Sequence, residues 1–174
     1  MISELITDSD EISKLIRACF ETKDSEEKGK LLERTFESIV HIDPRLQIVR
    51  KHLRTATGEL DYVVRHSIGD AFWKQSPYFV AECKNWKNPI EPEQLHHFLT
   101  LVRDSGPMCI LGIYVTTSHL TPASWTAIRD ARLRDGIITV VIDKKTIPKL
   151  PNGLGGLIPR LYEAQAFRAD DLSK

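Results

Sequence analysis

Apolar residues recur along this chain in two periods, and the elements change where the period changes. Between residues 9 and 20, Ile12, Leu15, Ile16 and Cys19 fall at the spacing of one helix face, with Ser9 or Asp8 placed to cap it. The charged link ETKDSEEKGK follows, with Asp24 and Glu27 in capping-box spacing. Leu32, Phe36, Ile39 and Val40 then predict a second helix to about Val40. Beyond Pro44 the period drops to two. Residues 45–54 and 59–66 alternate as strands, and Thr57-Gly58 between them predicts a β-hairpin. A loop over 67–77, holding Phe72 and Trp73, leads to a third strand, Tyr78 to Lys84.

The second half changes register again. After the polar loop Asn85 to Pro89, Pro92 starts a helix striped by Leu95, Phe98, Leu99 and Val102, and Ser105-Gly106-Pro107 stops it. Residues 109–116 and 137–142 are near-continuous apolar runs, the pattern of strands covered on both faces. Between them Thr121-Pro122 opens a helix to about Arg134, closed by Gly136. The tail from Pro148, rich in Gly, Pro and Leu, predicts one short helix around 155–165. Three strands in a meander pair antiparallel, and strands joined by helices pair parallel. The expected class is α/β, a mixed β-sheet flanked by helices. One domain over 1–174 is expected, with a helical extension at 1–23, a core at 24–143 and a C-terminal extension at 144–174.

Composition changes this picture little. With 174 residues the chain can bury a real core, and 24 basic against 24 acidic side chains give no global field to recommend a polyanion. A phosphate-binding surface has to come from local clusters such as Lys84 and Lys87. Cys19, Cys83 and Cys109 are odd in number and far apart, so neither a disulfide framework nor a zinc site is indicated. The acidic start MISELITDSD lacks the build of a signal peptide, and no apolar run is long enough to span a bilayer. The expectation is a reduced, cytoplasmic protein with no membrane partner.

Candidate chemistry enters with the charges inside strands. Glu82 and Lys84 stand two apart at the end of an apolar strand, so they share a face with Cα atoms roughly 6–7 Å apart. Asp61 interrupts the apolar second strand, where aspartate is disfavoured. If the meander forms, Asp61 lies beside Glu82. Two adjacent carboxylates repel unless a proton or a cation intervenes. A hard divalent ion such as Mg²⁺ takes one or two carboxylates plus water and substrate phosphate, activates water and stabilises charge at phosphorus. Lys84 beside that water would position it or stabilise the transition state, with a role as a base of depressed pKa the alternative. The arrangement suits metal-dependent hydrolysis of a phosphodiester. Glu33 and Glu37, four apart on the second helix, lie along one side of it close to the apolar stripe.

Asp61, twenty intervening residues and then Glu82-Cys83-Lys84 resemble the PD-(D/E)xK motif of the restriction-endonuclease-like nucleases, and the helix, three-strand, helix, strand order resembles their core. AECKNW, the helix after it and LGIYVTTSHLTPASW are similar in particular to the Mrr-like restriction endonuclease branch. In that branch a helix glutamate follows a glycine by four residues, as Glu33 follows Gly29 here; Glu37 is the fallback. The resemblance covers roughly 28–143. It implies a Mg²⁺-dependent nuclease, Mn²⁺ substituting, with Asp61 and Glu82 as metal ligands, Lys84 as catalytic lysine and Glu33 as supporting carboxylate. Leu60 stands where the motif has proline, a position that offers no ligand.

The implied substrate is nucleic acid, DNA ahead of RNA, in a restriction or defence setting. Trp86, Lys87 and Gln94 are the candidate nucleic-acid contacts, by stacking, charge and hydrogen bonding. Alternatives from other classes stay open: a binding module of the same fold that no longer cuts, or the nuclease part of a larger effector with an activating partner protein. A homodimer is expected if both strands of a duplex are cut. Adjacent His96 and His97 face different directions on their helix and form no metal pair.

Overall fold

The computed structural model describes residues 9–167, so the cap assigned to Asp8 lies outside the described residues. Helix α1 runs Ser9–Glu21 and α2 Ser25–Ile42. Asp24 caps α2 as its spacing predicts, Oδ1 accepting from the N–H groups of Glu26 and Glu27, while the Glu27 carboxylate takes the Thr22 hydroxyl instead of closing the box. The hairpin is β1 (Leu46–Arg54) and β2 (Glu59–His66), followed by a 3-10 turn at Trp73–Gln75 and by β3 (Tyr78–Lys84). Then come α3 (Pro92–Asp104), β4 (Leu111–Thr116), α4 (Pro122–Asp135), β5 (Ile138–Ile142), a second 3-10 stretch (Ile147–Asn152) and α5 (Leu154–Ala166). Strand β4 starts inside the apolar run because the Ile110 and Leu111 N–H groups donate to Ser76 Oγ, tying the start of that run to the loop before β3.

The sheet has the order β1-β2-β3-β4-β5, antiparallel from β1 to β3 and parallel from β3 to β5. Alternation along the central strands loads both faces. Phe79, Ala81 and Cys83 of β3, with Ile113 and Val115 of β4, pack against α1, α2 and α5 through Ile12, Ile16, Leu32, Phe36 and Leu157. Val80, Tyr114 and Val141 face the other way, onto Phe98 and Val102 of α3 and Ile128 of α4. Each fully buried aliphatic or aromatic side chain contributes about 1.5–3 kcal/mol. Gly112 sets how closely α3 approaches β4, because a Cβ there would lie 2.6 Å from Val102 Cγ2 and 2.7 Å from Phe98 Cζ.

The flanking segments are built into the same layers. Pro159 lies inside α5 and has no N–H for the carbonyl of Gly155. That carbonyl instead accepts from Trp73 Nε1 at 2.9 Å, which joins the C-terminal helix to a fully buried indole. Gln165 covers the outer edge of β5: its Oε1 accepts from Val141 N and its Nε2 donates to Val141 O, as a neighbouring strand would. Among the described residues, no helix is long and apolar enough to cross a membrane.

Candidate active site

The site forms where two ladders come apart. Antiparallel pairing of β2 with β3 runs from Arg65–Tyr78 to Tyr62–Ala81 and stops. One residue further, the Asp61 side chain takes the place of a strand partner, Oδ2 accepting from Cys83 N at 2.8 Å. Pairing of β1 with β2 skips the same level, passing from Lys51–Tyr62 to Leu53–Leu60 and leaving His52 and Asp61 between. The packing switches with it. Tyr62 and Val64 face α2, yet Leu60 packs into the α3 layer, although residues two apart on a regular strand share a face. His52 has φ 47°, in the left-handed region. At this irregular level the Asp61 carboxylate reaches the backbone at the end of β3.

Glu82 and Lys84 follow Val80 at two-residue steps and so belong to the α3 side of β3. Glu82 is 3% exposed. Its Oε1 meets Lys84 Nζ at 2.5 Å, while Oε2 is buried without a hydrogen-bond partner. Burial, and then the Asp61 charge, push the Glu82 carboxyl above its ordinary pKa. Burial pulls the Lys84 ammonium down, but the hydrogen bond to Glu82 and the fields of Glu82 and Asp61 outweigh it and the net shift is upward. Lys84 therefore keeps its charge in this state, the opposite of what a lysine base needs. Cys83, between Glu82 and Lys84 in sequence, points into the other layer, its thiol raised by burial and by the same carboxylates.

The two helix glutamates have different surroundings. Glu37 accepts from the Tyr62 hydroxyl at 3.0 Å and pairs with Lys51 at 2.6 Å, a tie between α2 and the hairpin. The Glu33 carboxyl is raised first by burial and then by Asp61, and is lowered by His52 and Lys84. Glu33 thus stands in the field of the strand charges.

Of the remaining candidates, Trp86 is exposed (39%) in the loop after β3, and its carbonyl accepts from Thr117 Oγ1 at 3.3 Å. Lys87 lines a cleft of about 520 Å³ with Phe20, Lys23, Lys28 and Asn85. Gln94 Oε1 accepts from Glu91 N at 2.9 Å, so its amide serves the start of α3. Periodicity does not single out His52, although counting back from the turn through Arg54–Glu59 and Leu53–Leu60 places it opposite Asp61.

Among the described residues, no group of three or more His, Cys, Asp and Glu side chains is gathered as a ready-made metal cage. The donor set at the splayed strands still fits a hard cation. The unpartnered Glu82 Oε2 and the neighbouring Asp61 carboxylate offer oxygen donors that could hold such an ion in a locally negative site, and Mg²⁺ commonly takes only one or two carboxylates from protein.

The restriction endonuclease family model Mrr_cat matches residues 30–147, and the chain belongs to that family. The fold is that of restriction-endonuclease-like domains. The DNA modification-dependent restriction endonuclease AspBHI superposes with TM-score 0.50 at 17% identity, covering 91% of this chain and 38% of that one. MspJI restriction endonuclease in complex with a 27-mer oligonucleotide gives 0.46 at 16% identity, covering 90% and 34%. Pyrococcus furiosus SfsA in complex with Ca²⁺ gives 0.39 at 14% identity, covering 69% and 58%. The chain thus spans between 34% and 58% of the length of these three structures. No curated protein sequence matches it.

Proposed function

We propose that this chain is a metal-dependent endonuclease domain that hydrolyses phosphodiester bonds in DNA. The observation that carries the reading is the junction at Asp61, Glu82 and Lys84, where a buried carboxylate oxygen lacks a partner beside a second carboxylate and a charged ammonium. Family membership favours the same chemistry, and the likeness to AspBHI, a DNA modification-dependent enzyme, favours DNA as substrate. Asp61 and Glu82 would hold Mg²⁺, or Mn²⁺ in its place. When bound, the ion supplies positive charge beside the scissile phosphate and makes water a better nucleophile. Lys84, charged and held by Glu82, orients the attacking water and offsets charge developing on the phosphate oxygens. Glu33 adds a further carboxylate on the α2 side.

The cleft with Lys23, Lys28 and Lys87, which outnumber Glu21 in its lining, lies close to the exposed Trp86 and gives the substrate strand a net cationic path with an aromatic surface. A cut through both strands needs two such sites, which a homodimer or an activating partner would bring together. Restriction of foreign DNA in the cytoplasm is the setting we infer. Incubating supercoiled plasmid with the protein in Mg²⁺ or Mn²⁺, against EDTA, tests the reading. Metal-dependent nicking that Glu82→Ala abolishes is the expected result. Duplex binding with no cleavage in either metal would instead mark a non-cutting module of the same fold.

A further inference from the structure

The break in the ladders at Asp61 has a second member, which lies outside the proposed metal site. His52, opposite Asp61 on β1, has φ 47° and is the one residue other than glycine with a positive φ among the described residues. That conformation is sterically disfavoured for residues with a Cβ, and such outliers concentrate at functional sites. Its side chain is 52% exposed, with Nδ1 3.5 Å from Glu59 Oε1 and its ring centroid 6.4 Å from that of Tyr62. The first contact stays within the exposed hairpin and the second reaches the buried Tyr62 from outside, and neither by itself calls for a histidine here. Its neighbourhood does: Glu33 senses both Asp61 and His52. The imidazole therefore borders the carboxylates on the β1 side, with Lys84 on the β3 side.

Resting on the nuclease reading, we propose that His52 is a substrate-binding residue whose imidazole donates a hydrogen bond to a non-bridging oxygen of the DNA backbone next to the scissile phosphate. An imidazole N–H is a good donor to a phosphate oxygen, and with Glu59 on the Nδ1 side that role is assigned to Nε2. His52 carries its left-handed backbone at the level of Asp61, where the pairing of β1 with β2 is skipped. DNA would then lie across Asp61, held by His52 on one side and Lys84 on the other.

His52→Asn and His52→Gly test this, because both residues accept a positive φ. Plasmid cleavage gives kcat and KM, fluorescein-labelled duplex in EDTA gives binding without cleavage, and thermal melts report folding. The expected result is a KM raised about tenfold with kcat within about threefold, weaker duplex binding by a similar factor, and a Tm unchanged or higher. Variants that cut and bind like wild type, or that melt several degrees lower with KM unchanged, would make His52 a structural turn residue and overturn the assignment. A wild-type protein that neither binds nor cuts DNA would remove the nuclease reading and this assignment with it.

Discussion

Glu82→Gln changes the candidate site while keeping its shape, and its effect on metal-linked stability can be worked out. In the metal-free protein, Oε2 of Glu82 is buried with no partner, a cost of about 1–3 kcal/mol for a polar group, and Asp61 adds like charge. A divalent ion bound by the two carboxylates relieves both. Because the unfolded chain has no such site, Mg²⁺ at ten times its Kd stabilises the fold by RT ln 11, about 1.4 kcal/mol. At about 2–4 °C per kcal/mol for a domain of this size, Tm should rise by roughly 3–6 °C. Differential scanning fluorimetry of wild type, Glu82→Gln and Asp61→Asn over a MgCl₂ titration, with NaCl at matched ionic strength, reads this directly. Wild type should show a saturable rise and the two variants almost none. Equal rises in all three proteins would place the metal elsewhere and refute the ligand assignment.

Three further outcomes follow from the same geometry. The Glu82 carboxyl is raised in the folded state, so the native protein holds its proton more tightly than the unfolded chain, and stability falls as pH rises from about 4.5 through the folded pKa; in EDTA, thermal melts should show this decline flattened in Glu82→Gln. Gly112→Ala puts a Cβ within 3 Å of Val102 and Phe98, and urea unfolding should register about 1–3 kcal/mol of reduced stability. Replacing Lys23 and Lys28 together by glutamate should reduce the slope of log K against log salt for duplex binding by roughly one for each phosphate no longer neutralised; an unchanged slope would exclude the cleft from the DNA path.

The strands and their charges were legible because each breaks a simple pattern. Asp61 interrupts an apolar strand, and Glu82 and Lys84 close one, so the spacing alone brings them to one end of the meander. Tertiary contacts decide the rest. Glu33 and Glu37 lie on the same side of α2, and only the Tyr62 hydroxyl and Lys51, which engage Glu37, separate their surroundings. The twist at His52 is hidden because a histidine carries the positive φ where a glycine would have marked it. The short helix of the tail was legible around 155–165, but not that Pro159 sits inside it with the freed Gly155 carbonyl satisfied by the indole of Trp73 across the fold.

The most direct measurement is plasmid cleavage by Lys84→Ala beside wild type at saturating Mg²⁺. Lys84 is the charged partner of Glu82 but not one of the two carboxylates assigned to the ion. The variant should therefore retain a Mg²⁺-dependent rise in Tm while its cleavage rate falls by at least about a hundredfold, the range for removing one group that stabilises developing charge. Cleavage by Lys84→Ala at the wild-type rate would contradict the central claim that catalysis takes place where β2 and β3 part.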